Sequence, residues 1–236
     1  MIYRWIDINR FQLFPPVCVL CGDPGHDGLD LCSPCRHDLP RHIHACPRCG
    51  VTIHSPSTPE SSCGVCQQHP PPYDRVLAPF RYDTPLDHLI HRLKYSGRLE
   101  QARLLGDLLA HWLEQHLDAF PDRVIPVPLH PTRLRQRGFN QAVELARRVC
   151  KRLELPLDTQ SCRRQRATPP QSEMADARER ARNIKGAFAV RGEMHGSVAI
   201  LDDVMTTGST VGELAKCLRA AGATRIEVWA CARTNY

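Results

Sequence analysis

The chain has 236 residues, of which 42% are hydrophobic and 24% charged, with a net charge of +6. That is enough for one large domain or two smaller ones around a real core. No stretch approaches the ~20 apolar residues that a bilayer span needs, and the opening MIYRWIDINRFQLFPP, broken by Arg4, Asp7 and Arg10, holds no apolar run of signal-peptide length, so neither membrane insertion nor secretion is expected and a cytoplasmic location is.

The first third of the chain is dominated by cysteine. Cys18 and Cys21, Cys32 and Cys35, Cys46 and Cys49, and Cys63 and Cys66 form four successive C-x-x-C knuckles. Each knuckle presents two thiolates to one metal, and two knuckles complete a tetrahedral four-cysteine zinc site. Eight cysteines therefore predict two structural zinc ions. Sequential pairing (18/21/32/35 and 46/49/63/66) is the simplest scheme, and an interleaved one stays open at this level. His26, His42, His44 and His69 lie nearby and are expected to be bystanders. A redox role would need a thioredoxin-like βαβ context, and disulfides would need an oxidising compartment. The segment is rich in Pro and Gly and poor in periodic hydrophobics, so zinc is needed to fold it.

Gln68-His69-Pro70-Pro71-Pro72 reads as a stiff linker. It divides the chain into a double zinc ribbon over residues 1–72 and a second domain over residues 73–236. Residues 76–82 are expected to form a strand. Leu86, Leu89, Ile90 and Leu93 recur at helical spacing, and Gly97 is placed to stop that helix. Lys94 falls in its last turn, where a lysine ordinarily complements the helix dipole. Leu104, Leu105, Leu108, Leu109, Trp112, Leu113 and Leu117 predict a second amphipathic helix. Residues 123–127, RVIPV, predict a strand. It runs into a polar basic loop over 128–138 that carries Arg133, Arg135 and Arg137, and then into a helix over 139–153. His130, in that loop, is the one weak candidate for a general base. Residues 161–186 are highly charged, with paired prolines and little periodicity, the character of a functional lid or an unstructured segment. Residues 187–190 are expected to return to the sheet as a short strand. Among the dispersed cysteines Cys150, Cys162, Cys217 and Cys231, three sit in apolar patterns and read as core.

The most informative stretch follows, VAILDDVMTTGSTV over residues 198–211. Val198, Ala199, Ile200 and Leu201 form an apolar run suited to a strand buried on both faces. It is expected to end at Asp202 and Asp203, at the carboxyl end of the strand, where open α/β sheets bind ligands. Thr206, Thr207, Gly208, Ser209 and Thr210 then supply hydroxyl donors and a helix start. Backbone N–H groups and the dipole there favour an anion. A phosphate cradle beside two acceptor carboxylates suits a sugar phosphate. The helix from 209, Gly222 as its stop and a last strand from Arg225 complete a βαβ crossover, hence a parallel sheet.

This strand, acid pair and loop resemble the phosphoribosyl-pyrophosphate (PRPP) motif of type I phosphoribosyltransferases. The resemblance implies that Asp202 and Asp203 hold the ribose hydroxyls and that Thr206, Thr207, Gly208, Ser209 and Thr210 hold the 5′-phosphate. It implies a pyrophosphate-binding loop at 128–138 and a hood at 161–186. Arg137, Lys94 and the hood residue Arg166 then become candidates for the leaving pyrophosphate, with Mg²⁺ bridging its oxygens. Together with CPRCG, LKYSGR and VPVPLHPTRLRQRGFNQA, the pattern resembles the ComF family over nearly the whole chain. That family is linked to natural competence and DNA uptake in bacteria. Membership implies a type I phosphoribosyltransferase fold behind a double zinc ribbon, transfer of a phosphoribosyl group to an unnamed acceptor, and work with single-stranded DNA and a competence helicase. Residues 131–185 carry 14 Lys/Arg against 6 Asp/Glu, so the positive charge is concentrated beside the expected site. Such a surplus suits anionic substrates and a nucleic-acid backbone, although Arg147, Arg148, Lys151 and Arg152 read as a solvated helix face. No aromatic strip accompanies the basic loop in sequence, which counts against an autonomous single-strand binder. The competing expectation is a non-catalytic module that senses PRPP or holds DNA or a helicase.

Overall fold

The computed structural model describes residues 15–54, 61–167 and 182–235. The first fourteen residues and most of the expected lid lie outside them. Fourteen elements are named in chain order: α1 (Ser33–His37), α2 (Gly64–Gln68), β1 (Arg75–Leu77), β2 (Phe80–Arg81), α3 (Leu86–Ser96), α4 (Leu99–His116), β3 (Arg123–Pro126), α5 (Pro131–Arg137), α6 (Gln141–Leu153), β4 (Cys162–Arg164), β5 (Phe188–Val190), β6 (Ser197–Met205), α7 (Ser209–Ala220) and β7 (Arg225–Arg233).

The main sheet is parallel, in the order β1, β7, β6, β3, with β2 also paired to β7. The two longest strands are central because their residues are buried almost end to end. Alternation along β6 divides the core. Ala199 and Leu201 face α3, α4 and α6, whereas Val198 and Ile200 face α7 and the β4–β5 pair. Helices thus cover both faces, which is the environment that a continuous apolar strand needs.

Four expectations change. The strand expected over 76–82 is two short pieces, β1 and β2, separated by Ala78 and Pro79. The basic loop is mostly the helix α5, capped at its start by His130, whose Nδ1 accepts from the Thr132 amide at 3.3 Å, and stopped by Gly138 at φ 82°. The strand at 188–190 does not join the main sheet. It pairs antiparallel with β4, Cys162 opposite Val190. Most consequentially, β6 does not end at the acids. It continues through Asp202 and Asp203 to Met205, with Asp202 opposite Ala230.

The cysteine-rich segment is not tethered at a distance. Cys18, Leu31, Cys32 and Leu39 belong to the same apolar core as Leu89, Leu93, Leu105 and Trp229. Residues 40–42 cover the β2 edge, with His42 N donating to Pro79 O at 3.0 Å and Arg81 N to Pro40 O at 2.8 Å. A covered edge cannot recruit a foreign strand. Among the described residues no helix is long and apolar enough to cross a membrane.

Candidate functional site

The two acids differ because successive residues of a strand point to opposite faces. Asp203 is buried, 3% exposed, and its Oδ2 lies 2.9 Å from the Lys94 Nζ. Lys94 is delivered by the last turn of α3, which Gly97 closes in the left-handed conformation, φ 61°. Burial pulls the Lys94 ammonium down, but the Asp203 carboxylate outweighs it and holds Lys94 above its ordinary range. The lysine therefore points at an acid rather than into open space. Asp202 is half-buried and accepts the Asp203 amide on Oδ1 at 2.9 Å. Loss of hydration, and then the neighbouring Asp203 charge, push its carboxyl up to about 8.

Beyond Met205 the chain turns through Thr206 and Thr207 to Gly208, whose φ of 78° is the left-handed conformation that glycine adopts without cost. A Cβ there would lie 2.7 Å from the Met205 Cε and 3.1 Å from the Tyr73 hydroxyl. Thr207 Oγ1 and Ser209 Oγ are 2.8 Å apart and Ser209 N donates to Thr207 Oγ1 at 3.3 Å. These hydroxyls are thus organised among themselves at the start of the twelve-residue α7. Thr206, Thr207, Gly208, Ser209 and Thr210 are all partly accessible. A groove of about 230 Å³ adjoins the loop, lined by Tyr73, Thr207, Gly208, Ser209, Glu213 and Lys216.

Of the basic residues, Arg137 donates to Gln141 Oε1 at 2.6 Å and lies 5.7 Å over the Tyr95 ring. Arg166 donates to the Asn183 carbonyl. Sequence reasoning missed Arg164 on β4. Burial, and then the charge of Arg133, pull this guanidinium below its ordinary range, with Arg166 adding to that and Asp202 acting the other way. Arg133, Arg164, Arg166 and Asp202 therefore share one field. Alternation along β4, with Cys162 buried and Arg163 exposed, was the available signal, hidden because the segment reads as a lid. The sequence also missed an aromatic surface. Tyr95 is 61% exposed, lies with its ring centroid 4.6 Å from that of His91 and tilted 37° to it, and carries Arg137 above it. α3 and α5 thus bring together an aromatic and a cation that lie far apart in the chain.

The cysteines form two groups, Cys18/Cys21/Cys32/Cys35 and Cys46/Cys49/Cys63/Cys66, with the four Sγ atoms of each within 4.8 Å of one another. The pairing is sequential. Cys21 and Cys32 are 3.6 Å apart and Cys49 and Cys63 are 3.7 Å apart. A tetrahedral zinc with Zn–S near 2.3 Å requires an S–S edge of about 3.8 Å, so both groups fit zinc. The Cys63 amide directed at Cys46 Sγ, 3.3 Å away, is a backbone donor suited to a thiolate.

A double zinc ribbon domain family model matches residues 11–68. The chain is 39% identical over 231 residues to the DNA utilization protein YhgH of Salmonella typhi, covering 93% of this chain and 98% of that protein. It is 32% identical over 225 residues to competence protein F of Haemophilus influenzae, covering 92% and 96%. Among solved structures it is similar to the glutamine PRPP amidotransferase of B. subtilis, at 20% identity and a TM-score of 0.37 over 55% of this chain and 26% of that one. The parallel sheet itself, rather than this low score, defines the fold.

Proposed function

The chain belongs to the ComF family, and from that premise we propose that it binds PRPP at Asp202, Asp203 and the loop from Thr206 to Thr210, and acts with single-stranded DNA in DNA uptake or utilization. The observation that carries this reading is the continuity of the acid pair, the left-handed Gly208 and the start of α7. The names of its relatives, one for DNA utilization and one for competence, support the biological setting.

In the proposed reaction an acceptor's electron pair forms a bond to the ribose anomeric carbon. The bond from that carbon to the pyrophosphate oxygen breaks, and pyrophosphate leaves with the pair. The loop anchors the 5′-phosphate. Asp202, with its partial exposure, is the acid available to ribose hydroxyls, and Lys94 holds Asp203 in place beside it. Arg164, Arg133 and Arg166, which share the field of Asp202, suit the departing pyrophosphate, with Arg137 at the rim. Mg²⁺ fits this donor set, because it keeps most of its waters and takes one or two carboxylates together with substrate phosphates rather than a protein cage. When bound it would neutralise charge on the leaving group. A carboxyl raised to about 8 is one that a neighbouring cation would return to its ionised form. Catalysis on this reading is positioning and electrostatics.

The second reading is a non-enzymatic nucleic-acid module. It is favoured by Tyr95, His91 and Arg137, a stacking surface with a cation that was not legible in the sequence. Labelled PRPP binding and pyrophosphate release, measured with and without single-stranded DNA, separate the two. Pyrophosphate release supports the transferase. Binding without release supports the module, and no PRPP binding ends both PRPP readings.

A further inference from the structure

Arg233 closes β7 and is only 3% exposed. Its Nε donates to the Cys49 carbonyl at 2.8 Å. Its Nη1 reaches the Met205 carbonyl at 3.2 Å, the Thr206 carbonyl, and the Thr234 carbonyl at 2.9 Å. Cys49 belongs to the second cysteine group. Met205 and Thr206 lead from the acid pair into the hydroxyl loop. One guanidinium thus spans a metal knuckle and the peptide planes that aim the loop.

The surroundings hold the knuckle against the same place. Val76 N donates to Pro47 O at 3.1 Å. A Cβ on Gly50 would meet the Val76 Cγ1 at 2.9 Å and the Arg233 Cγ at 3.5 Å, so the knuckle lies directly on β1 and on the arginine stem. Thr52 donates through N and Oγ1 to Asn235 Oδ1 at 3.2 and 2.9 Å. The first cysteine group packs elsewhere. Its neighbours Val19 and Asp30 are held by Arg92 of α3, at 3.3 Å, and by Arg103 of α4.

We propose that the second zinc site positions the phosphate loop, with Arg233 as the positioning residue that joins them. Zinc bound by Cys46, Cys49, Cys63 and Cys66 fixes the Cys49 carbonyl. That carbonyl fixes the guanidinium, and the guanidinium fixes the Met205 and Thr206 carbonyls, hence the direction of the amides that follow. Four thiolates around one divalent ion leave a net double negative charge, which further favours a buried cation beside it. The two zinc sites therefore differ in role: the first staples the ribbon to the helices, and the second sets the site.

The test compares the full-length parent with Cys21→Ser, Cys63→Ser, Arg233→Met and Arg233→Lys. It reads zinc content, hydrogen exchange of the peptide spanning residues 205–210, and titration with ribose 5-phosphate. Cys21→Ser should lose one zinc and leave loop exchange unchanged. Cys63→Ser should lose one zinc and speed loop exchange by about tenfold or more, the effect expected for a lost charged hydrogen bond. Arg233→Met should do the same with both zinc ions retained, and Arg233→Lys should restore part of the protection. If Cys63→Ser does not fold, Arg233→Met decides. Parent-like loop exchange in Arg233→Met overturns the proposal, as does equal acceleration in Cys21→Ser and Cys63→Ser. The ligand arm rests on reading the loop as a phosphate site. A parent that ignores ribose 5-phosphate ends that reading, while the exchange comparison still decides the coupling.

Discussion

Two adjacent carboxylates in one strand have opposite fates, and single substitutions should reveal it. The sequence suggests that both acids face solvent, so that replacing both would spare folding. Burial of Asp203 against Lys94 changes that expectation. Asp203→Asn leaves a largely buried ammonium without its carboxylate and should cost about 3 kcal/mol in urea unfolding. Asp202→Asn should do the reverse at neutral pH. A carboxyl whose folded value of about 8 lies above its ordinary 3.8 binds more protons when folded than when unfolded. Stability therefore falls as pH rises between those values. Over that range the parent should lose more than about 1 kcal/mol relative to Asp202→Asn. Equal pH dependence of the two would remove the raised carboxyl from the account. If PRPP engages the ionised form, binding at pH 7 should release a proton, visible in calorimetry as a heat that depends on the buffer. Gly208→Val combines a disfavoured φ of 78° with contacts at 2.7 and 3.1 Å. It should weaken PRPP binding by about tenfold or more, because the amides can no longer converge on phosphate.

Elements decide which charges are free to bind. The basic helix α6 reads as solvated in sequence, yet Arg148 clasps Asp107 of α4 at 2.6 and 2.9 Å and Arg152 reaches Glu114 at 3.2 Å. A Cβ on Gly106 would come within 2.8 Å of the Arg148 Cβ, so the helices close tightly there. Arg148 and Arg152 are committed to packing α6 on α4, whereas α5 and β4 carry further arginines among the described residues. For single-stranded DNA, changing Arg133, Arg135 and Arg137 together to Ala should lower the magnitude of the salt slope by about two, given ~0.7 per phosphate contact. Tyr95→Ala should instead shift affinity by about 1–3 kcal/mol at an unchanged slope, with Tyr95→Phe close to the parent. A slope unaltered by the triple change would put the phosphate contacts on another element.

At the scale of the whole molecule, the ribbon and the sheet share one core, so metal and fold should be inseparable. The reduced protein should carry two zinc ions per chain. Cys18→Ser or Cys46→Ser should lower solubility and melting temperature together, because zinc binding energy is folding energy in such segments. Chelation should move a single cooperative transition. A separate early ribbon transition, with the sheet melting at its original temperature, would contradict the shared core.

The sequence by itself determined what is local. Knuckle spacing specified two groups of four cysteines suited to zinc, helical periodicity specified α3, α4 and α6, and the run from Val198 through the acids to Thr210 specified strand and loop, because each signal is complete within a few residues. It also gave the family, since those segments occur in a fixed order. It read β6 too short, because two acids resemble a strand end unless their partners are known. Only the tertiary structure decided how distant residues share space. The choice of sequential zinc pairing, Lys94 against Asp203, Tyr95 beneath Arg137, and Arg233 between Cys49 and Thr206 are contacts between segments far apart in the chain. Their geometry is set by which helix covers which face of the sheet. Periodicity reports that a face is buried but not what buries it.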